Sequence, residues 1–304
     1  MQRNEWRISL LEEHPWLTEQ DRQMVIGTDL DALMSATLLH QFFGWEIVGV
    51  YDLTRIYGAE SASMADLRNA VWVDLDVNQA DIKSIGHHII TLDESDRPRG
   101  LANSVNPNLI HGISHKNFRH KYPLGTVHFL MYLHDIAPPG NATDQLLFWL
   151  PDSSWINAQS HRFQWNVKAW LQSWLPIPLL RNSVLACDTL QFELAMAEFI
   201  DDFASNVRIP KGEGQVASRE LGVGGGQFGF SDGKWVSEDV QPVLDFIGEL
   251  TGWGIPRVPS EFWKKAGSRT VIKQDPAGVG RGPEVFSYAY PYPNCVNRTI
   301  FLAD

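Results

Sequence analysis

Met24-Val-Ile-Gly-Thr-Asp29-Leu-Asp31-Ala-Leu-Met-Ser35 is the stretch that decides the fold. A short apolar run ends in a Gly-Thr turn, and two Asp follow one residue apart. A new apolar pattern then begins at Leu33, Ala36, Thr37, Leu38 and Phe42. The first part reads as a buried strand, and the recurrence after it has helical spacing. Glu46-Ile-Val-Gly-Val-Tyr51 supplies a second strand. Three later stretches repeat the device of metal-liking side chains placed after an apolar run. They are Val71-Trp-Val-Asp74-Leu-Asp76, Ile85-Gly-His87-His88-Ile-Ile90 and Leu147-Phe-Trp-Leu-Pro-Asp152. In open α/β sheets the carboxyl ends of the strands are where ligands bind.

Further strands are expected at 71–74, 88–92 and 146–150, with helices over 62–69, 124–134 and 160–174. Alternation of this kind predicts an α/β fold with a doubly wound, mainly parallel sheet covered on both faces. A helix over about 188–203 places Leu190, Leu194, Ala197 and Ile200 on one face. Beyond it the composition shifts to Gly, Pro and aromatics, beginning with Ile209-Pro-Lys-Gly-Glu-Gly and Gly222-Val-Gly-Gly-Gly-Gln227. The expected organisation is a first domain over 1–205, including that helix, and a smaller substrate-facing α+β domain over 206–304.

The 304 residues are 44% apolar and 20% charged, enough to bury a substantial core. A net charge of −11 argues against a protein that grips long duplex DNA through many phosphates. Nucleotides and short oligonucleotides stay open, because bound divalent cations invert the local field. No uninterrupted apolar stretch approaches membrane-spanning length, and Met1-Gln-Arg-Asn-Glu-Trp6 lacks a signal peptide's apolar segment. Cys187 and Cys295 make no disulfide framework, so a cytoplasmic location is the default expectation. Trp149, Trp155, Trp165, Trp170 and Trp174 crowd one segment, where core or interface packing is favoured over base stacking.

Carboxylates with imidazole suit Mn²⁺ or Mg²⁺, and a cysteine-free site does not point to thiolate-rich zinc. Asp29 and Asp31 straddle one residue at a strand-to-helix turn, so they are placed to face two ions. Two ions roughly 3.5–4 Å apart activate a water and steady the leaving oxygen of an in-line displacement. Taken singly, an Asp after a strand is more often a helix cap or turn-former than a ligand, and His87-His88 reads equally as ordinary strand residues. Four occurrences together outweigh that explanation. His111, His115 and His120, interleaved with Lys116, Arg119 and Lys121, read instead as a solvated or phosphate-facing loop.

In order and separation, Asp29-Leu-Asp31-Ala-Leu-Met-Ser35, Asp74, His87-His88 and Asp152 resemble motifs I to IV of the DHH phosphoesterases. The likeness covers roughly residues 20–160, and Pro123-Leu-Gly-Thr-Val-His-Phe-Leu130 resembles the helix preceding the last motif. It implies that Asp29, Asp31, Asp74, His87 and Asp152 ligate Mn²⁺, with Asp74 bridging two ions and His88 contacting the scissile phosphate. Two positions depart from the pattern. Gly27 stands where the family usually has His or Asp, and Gly86 replaces the Asp of the Asp-His-His triplet. Asp76 and Asp93 are candidates to compensate. Gly224-Gly225-Gly226-Gln227 echoes the family's Gly-Gly-Gly-His substrate loop, with Gln in place of His. A plain glycine turn explains it equally. Arg219, Lys234, Arg281 and Arg298 are candidate charges for substrate.

The expected function is metal-dependent hydrolysis of a nucleotide phosphodiester, a short oligonucleotide or a small phosphoanhydride. The alternative is a catalytically weakened or inactive ligand-binding protein on the same scaffold, motivated by Gly27, Gly86 and Gln227. An unrelated phosphohydrolase with an aspartyl nucleophile in Thr28-Asp29-Leu-Asp31 leaves His87, His88 and Asp152 without a role.

Overall fold

A computed structural model describes residues 5–91, 98–159, 162–177, 180, 189–206, 230–231, 234–235, 237–273 and 284–301. After α1 (Glu5–Glu13), β1 (Gln23–Ile26) leads into α2 (Leu30–Phe43). Then come β2 (Glu46–Tyr51), β3 (Arg55–Ala59), α3 (Met64–Asn69), β4 (Val71–Val73), β5 (Lys83–Ile85) and β6 (Ser104–Val105). Helices α4 (Pro107–Ile110), α5 (Thr126–Leu133), α6 (Ser154–Gln159), α7 (Gln164–Ser173) and α8 (Thr189–Asn206) follow. The last part holds a short hairpin, β7 (Phe230–Ser231) and β8 (Lys234–Trp235), and α9 (Ser237–Thr251). It ends with β9 (Phe262–Ala266), β10 (Ser268–Lys273), β11 (Val285–Tyr292) and β12 (Cys295–Ile300).

The main sheet runs β6-β5-β4-β1-β2-β3-β9. Its first five strands pair in parallel, and β3 and β9 close one edge antiparallel. Apolar side chains alternate through it. Met24, Ile26, Val71 and Val73 pack with α2 and α5, whereas Val25 and Trp72 pack with Leu67 of α3. Both faces are therefore covered, which is why β1 and β4 read as unbroken apolar runs. From β1 the chain winds outward through β2 and β3, then returns through α3 to β4 on the other side. The carboxyl ends of β1 and β4 thus flank the topological switch point, the usual ligand crevice of such sheets. The second sheet, β10-β12-β11, is small and antiparallel, and so the fold is α/β with an added smaller unit. The bridge between Val77 and Ser287 and the bond from Asn78 Nδ2 to Val285 O, at 3.0 Å, tie it to the main sheet.

Two expected strands are corrected. In place of 88–92, the strand is Lys83–Ile85, and His87 and His88 follow its end. Tertiary bonds claim the His88 backbone: its N–H donates to Asp76 Oδ2 at 2.8 Å and its carbonyl accepts from Tyr290 N at 3.1 Å. The run 146–150 is also no strand. It lies in a 3₁₀ turn, Asp144–Trp149, that passes into Pro151–Ser153. Leu147 to Leu150 are all buried, and an apolar run buried on every side is indistinguishable by periodicity from a core strand. The antiparallel edge strands β3 and β9 escaped the sequence reading, and β9 carries the C-terminal third into the main sheet. The expected boundary near 205/206 adjoins residues 207–229, outside the described residues. Trp149 and Trp170 are core residues as expected, while Trp165 and Trp174 keep about 40% exposure.

Candidate metal centre

Asp29 is the N-cap of α2, accepting from Ala32 N at 3.0 Å. Within the first turn of the helix, the Asp31 carboxylate is buried against the N-terminus of α5. Its Oδ1 accepts from Val127 N at 2.9 Å and its Oδ2 from Thr126 N. The partial positive charge of a helix N-terminus favours a carboxylate there. The approach is so close that a Cβ on Gly125 would lie 2.6–2.7 Å from the Asp31 carboxylate atoms. Gly125 has φ −82°, an ordinary value, so this glycine is required by space and not by backbone.

Asp74 follows β4 with φ 58°, and Asp152 sits between two short turns with φ 51°. Both are non-glycine residues in the left-handed region, a strain that clusters at functional sites. Asp74 Oδ1 accepts from Thr126 Oγ1 at 2.7 Å and lies 3.5 Å from His88 Nε2. His87 is buried beside them. Its Nδ1 lies 2.9 Å from Thr126 Oγ1, 3.7 Å from Asp74 Oδ1 and 3.9 Å from Asp31 Oδ2, and its Nε2 contacts Asp152 Oδ2. The His87 and His88 ring centres are 4.0 Å apart. Two overlapping triads result, Asp74–His87–His88 and Asp31–His87–Asp152, each with ligand atoms within 4.8 Å of one another. Asp29 adjoins them through Asp74.

The electrostatics follow from this crowding. Burial, then the charge of Asp152, pushes Asp29 up to about 6. Burial first and neighbouring carboxylates second raise Asp31 and Asp74 well above the usual carboxylate range. Burial, reinforced by His88, lowers His87 to about 4. Burial also opposes ionisation of Asp152, but His87, His88 and Lys121 outweigh it and hold that carboxyl below its usual range. Four carboxylates crowded around a buried imidazole oppose one another's ionisation, and a divalent cation among them would let them ionise together. Hard oxygen donors with imidazole fit Mn²⁺ or Mg²⁺.

The departures at Gly27 and Gly86 differ in kind. At Gly27 a Cβ would meet nothing nearer than Ala32 Cβ at 3.2 Å and Asp74 Oδ2 at 3.5 Å. At Gly86 it would lie 2.8 Å from Asp76 Oδ2 and 2.9 Å from the Leu75 backbone, so no side chain fits. Asp76 occupies that space. It is buried, with Oδ1 accepting from Asn106 Nδ2 at 2.8 Å and Oδ2 holding His88 N.

A cleft of about 360 Å³ opens beside the cluster, lined by His88, Asp152, Arg119, Lys121, Phe163 and Asn166 among others. The expected loop at 111–121 is instead largely a 3₁₀ helix, His115–His120, from which Arg119 and the adjoining Lys121 face the site. Its histidines do not: His111 packs on Trp170 and Trp174, His115 on Tyr290 and His120 on Trp165. Burial lowers Lys121 to about 8 while it donates to Tyr290 O at 3.1 Å. Gly224, Gly225, Gly226, Gln227, Arg281, Arg219 and Asp93 lie outside the described residues. Lys234 falls in the short strand β8, and Arg298 lies on β12, paired with Thr270 and Tyr288. Sequence reasoning missed Thr126 and Gly125, whose only signal is Pro123-Leu-Gly-Thr126 at a helix start.

Comparison of the chain with family models, curated proteins and solved structures gave no match.

Proposed function

We propose that the protein is a metal-dependent phosphoesterase acting on a nucleotide phosphodiester, a short oligonucleotide or another small phosphorylated substrate. One observation carries the reading: buried Asp31, Asp74 and His87 and half-buried Asp152 converge at the sheet's switch point, with Asp29 beside Asp74. These five residues would hold Mn²⁺ or Mg²⁺. Bound there, divalent cations supply charge for a phosphoryl oxygen and lower the pKa of an attacking water. His88, half-buried at the cleft, is placed to donate to a phosphoryl oxygen. Arg119 and Lys121 offset the negative charge of a substrate in the cleft. Asn166 Oδ1, buried with no hydrogen-bond partner among the described residues, offers an acceptor to a ligand donor. The order of the motifs and the likeness to the DHH phosphoesterases support the same reading. Among the described residues no helix is long and apolar enough to cross a membrane. A cytoplasmic location is proposed from the scarcity of cysteine.

A second reading, a weakened enzyme or a binding protein, draws on Gly27 and on the bonds that already satisfy Asp31 and Asp74. Hydrolysis of bis(p-nitrophenyl) phosphate with Mn²⁺ separates the two. The enzyme reading expects turnover that Asp74→Ala removes. Turnover unchanged in that variant refutes the role of Asp74, and a folded, Mn²⁺-loaded protein without turnover on this probe or on short oligonucleotides favours the second reading.

A further inference from the structure

Thr126 stands between Asp74 and His87 at the buried N-terminus of α5. It makes three bonds to the cluster. Its N–H holds Asp31 Oδ2, its Oγ1 donates to Asp74 Oδ1 at 2.7 Å, and the same oxygen lies 2.9 Å from His87 Nδ1. A hydroxyl carries one hydrogen, and a carboxylate ionised beside a bound cation only accepts. With that hydrogen on Asp74, Thr126 Oγ1 faces His87 with lone pairs alone. The Nδ1 of His87 must then carry the imidazole proton. The carboxylate oxygens of Asp74 and Asp31, at 3.7 and 3.9 Å from Nδ1, are too distant to take over that bond.

The consequence falls on the other ring nitrogen. Nε2 is then the nitrogen that faces Asp152, and its contact with Asp152 Oδ2 is an ion pair with a proton between the two. A divalent cation shared by the two would take the place of that proton, which leaves to solvent. We propose that Thr126 is a positioning residue: it fixes the His87 proton on Nδ1 and so presents the Nε2 lone pair to a divalent cation shared with Asp152 and Asp31. Those three residues form one of the two triads within 4.8 Å. This inference rests on the metal-centre reading above. Partners of this kind, which orient a ligating histidine, typically change metal affinity 10–100-fold when removed.

The test uses the full chain. Thr126→Val keeps the shape and the backbone N–H and removes the hydroxyl, whereas Thr126→Ser retains it. Calorimetric titration with Mn²⁺ should show about 10–100-fold weaker binding for Thr126→Val. Thr126→Ser should bind like the wild type. Imidazole ¹⁵N spectra of the Mg²⁺-loaded wild type, which need no variant to fold, should place the His87 proton on Nδ1. A proton on Nε2, or Thr126→Val binding Mn²⁺ as tightly as the wild type, overturns the role of Thr126 and leaves the metal centre standing. A wild type that binds neither metal refutes the metal centre itself, and this proposal with it.

Discussion

Gly125→Ala is a one-carbon change whose effect is readable from the geometry. The new Cβ would lie 2.6 Å from Asp31 Oδ1, where ordinary contact begins at 3.4 Å, so the carboxylate must retreat about 0.8 Å. Retreat along the bond to Val127 N would stretch it from 2.9 to about 3.7 Å, outside hydrogen-bonding range. The bond from Thr126 N is strained by the same movement. Bonds to a charged group contribute about 1.5–3 kcal/mol each, and a buried carboxylate deprived of them has no water to replace them. Loss or weakening of the pair should therefore cost about 3–5 kcal/mol. The φ of −82° at Gly125 suits alanine, so none of this cost comes from the backbone. Gly112→Ala is the control: φ is +64° with nothing within 4 Å, so only the left-handed penalty of about 1–2 kcal/mol applies. Urea unfolding followed by tryptophan fluorescence measures both, and Mn²⁺ titration should show weakened binding in Gly125→Ala alone. A loss below about 1 kcal/mol in Gly125→Ala, with Mn²⁺ binding unchanged, would refute the placement of Asp31 against α5.

Restoring the missing triplet carboxylate should harm the protein. Gly86→Asp drives a Cβ into Asp76 and the Leu75 backbone and should cost more than about 3 kcal/mol, measured by urea unfolding. Gly27→His, whose Cβ would press on Ala32 Cβ at 3.2 Å without the overlap seen at Gly86, should cost less and tighten Mn²⁺ binding; the reverse order would contradict both placements. Mn²⁺ should also stabilise the fold in a pH-dependent way. The pKa of Asp29, near 6, and those of Asp31 and Asp74 are raised above the unfolded value of 3.8. Without metal, their contribution to stability is present below about pH 3.8 and lost as pH rises through the raised values, near 6 for Asp29. A bound cation offsets that loss, so the rise in Tm caused by Mn²⁺ should be large near pH 7.5 and vanish towards pH 5. An equal rise at both values in a scanning fluorimetry series would count against Mn²⁺ binding at these carboxylates.

The central strands were legible because burial on both faces leaves β1 and β4 apolar throughout, and because Asp29, Asp31 and Asp74 follow them directly. Asp152 was found for a partly mistaken reason. Leu147 to Leu150 are apolar because they lie in the core, yet they form a 3₁₀ turn, and the left-handed backbone at Asp152 delivers its carboxylate. His87 and His88 were legible as residues but not in register, since Asp76 and Tyr290, remote in sequence, set the His88 backbone. Edge pairing of β3 with β9 depends on partners about two hundred residues apart and leaves no local periodicity. Thr126 and Gly125 are ordinary residues for a helix start. Their roles arise only where α5 meets Asp31, a contact spanning 95 residues.

The most direct test of the metal centre is the metal content of the purified full chain after incubation with Mn²⁺ and exhaustive dialysis at about pH 7.5. It should be set beside Asp31→Asn and Asp74→Asn, which keep the shape of each side chain and remove its charge. Near-stoichiometric Mn²⁺ in the wild type, falling to background in both variants, is the predicted result. A folded wild type that retains no metal, or variants that retain as much as the wild type, would contradict it.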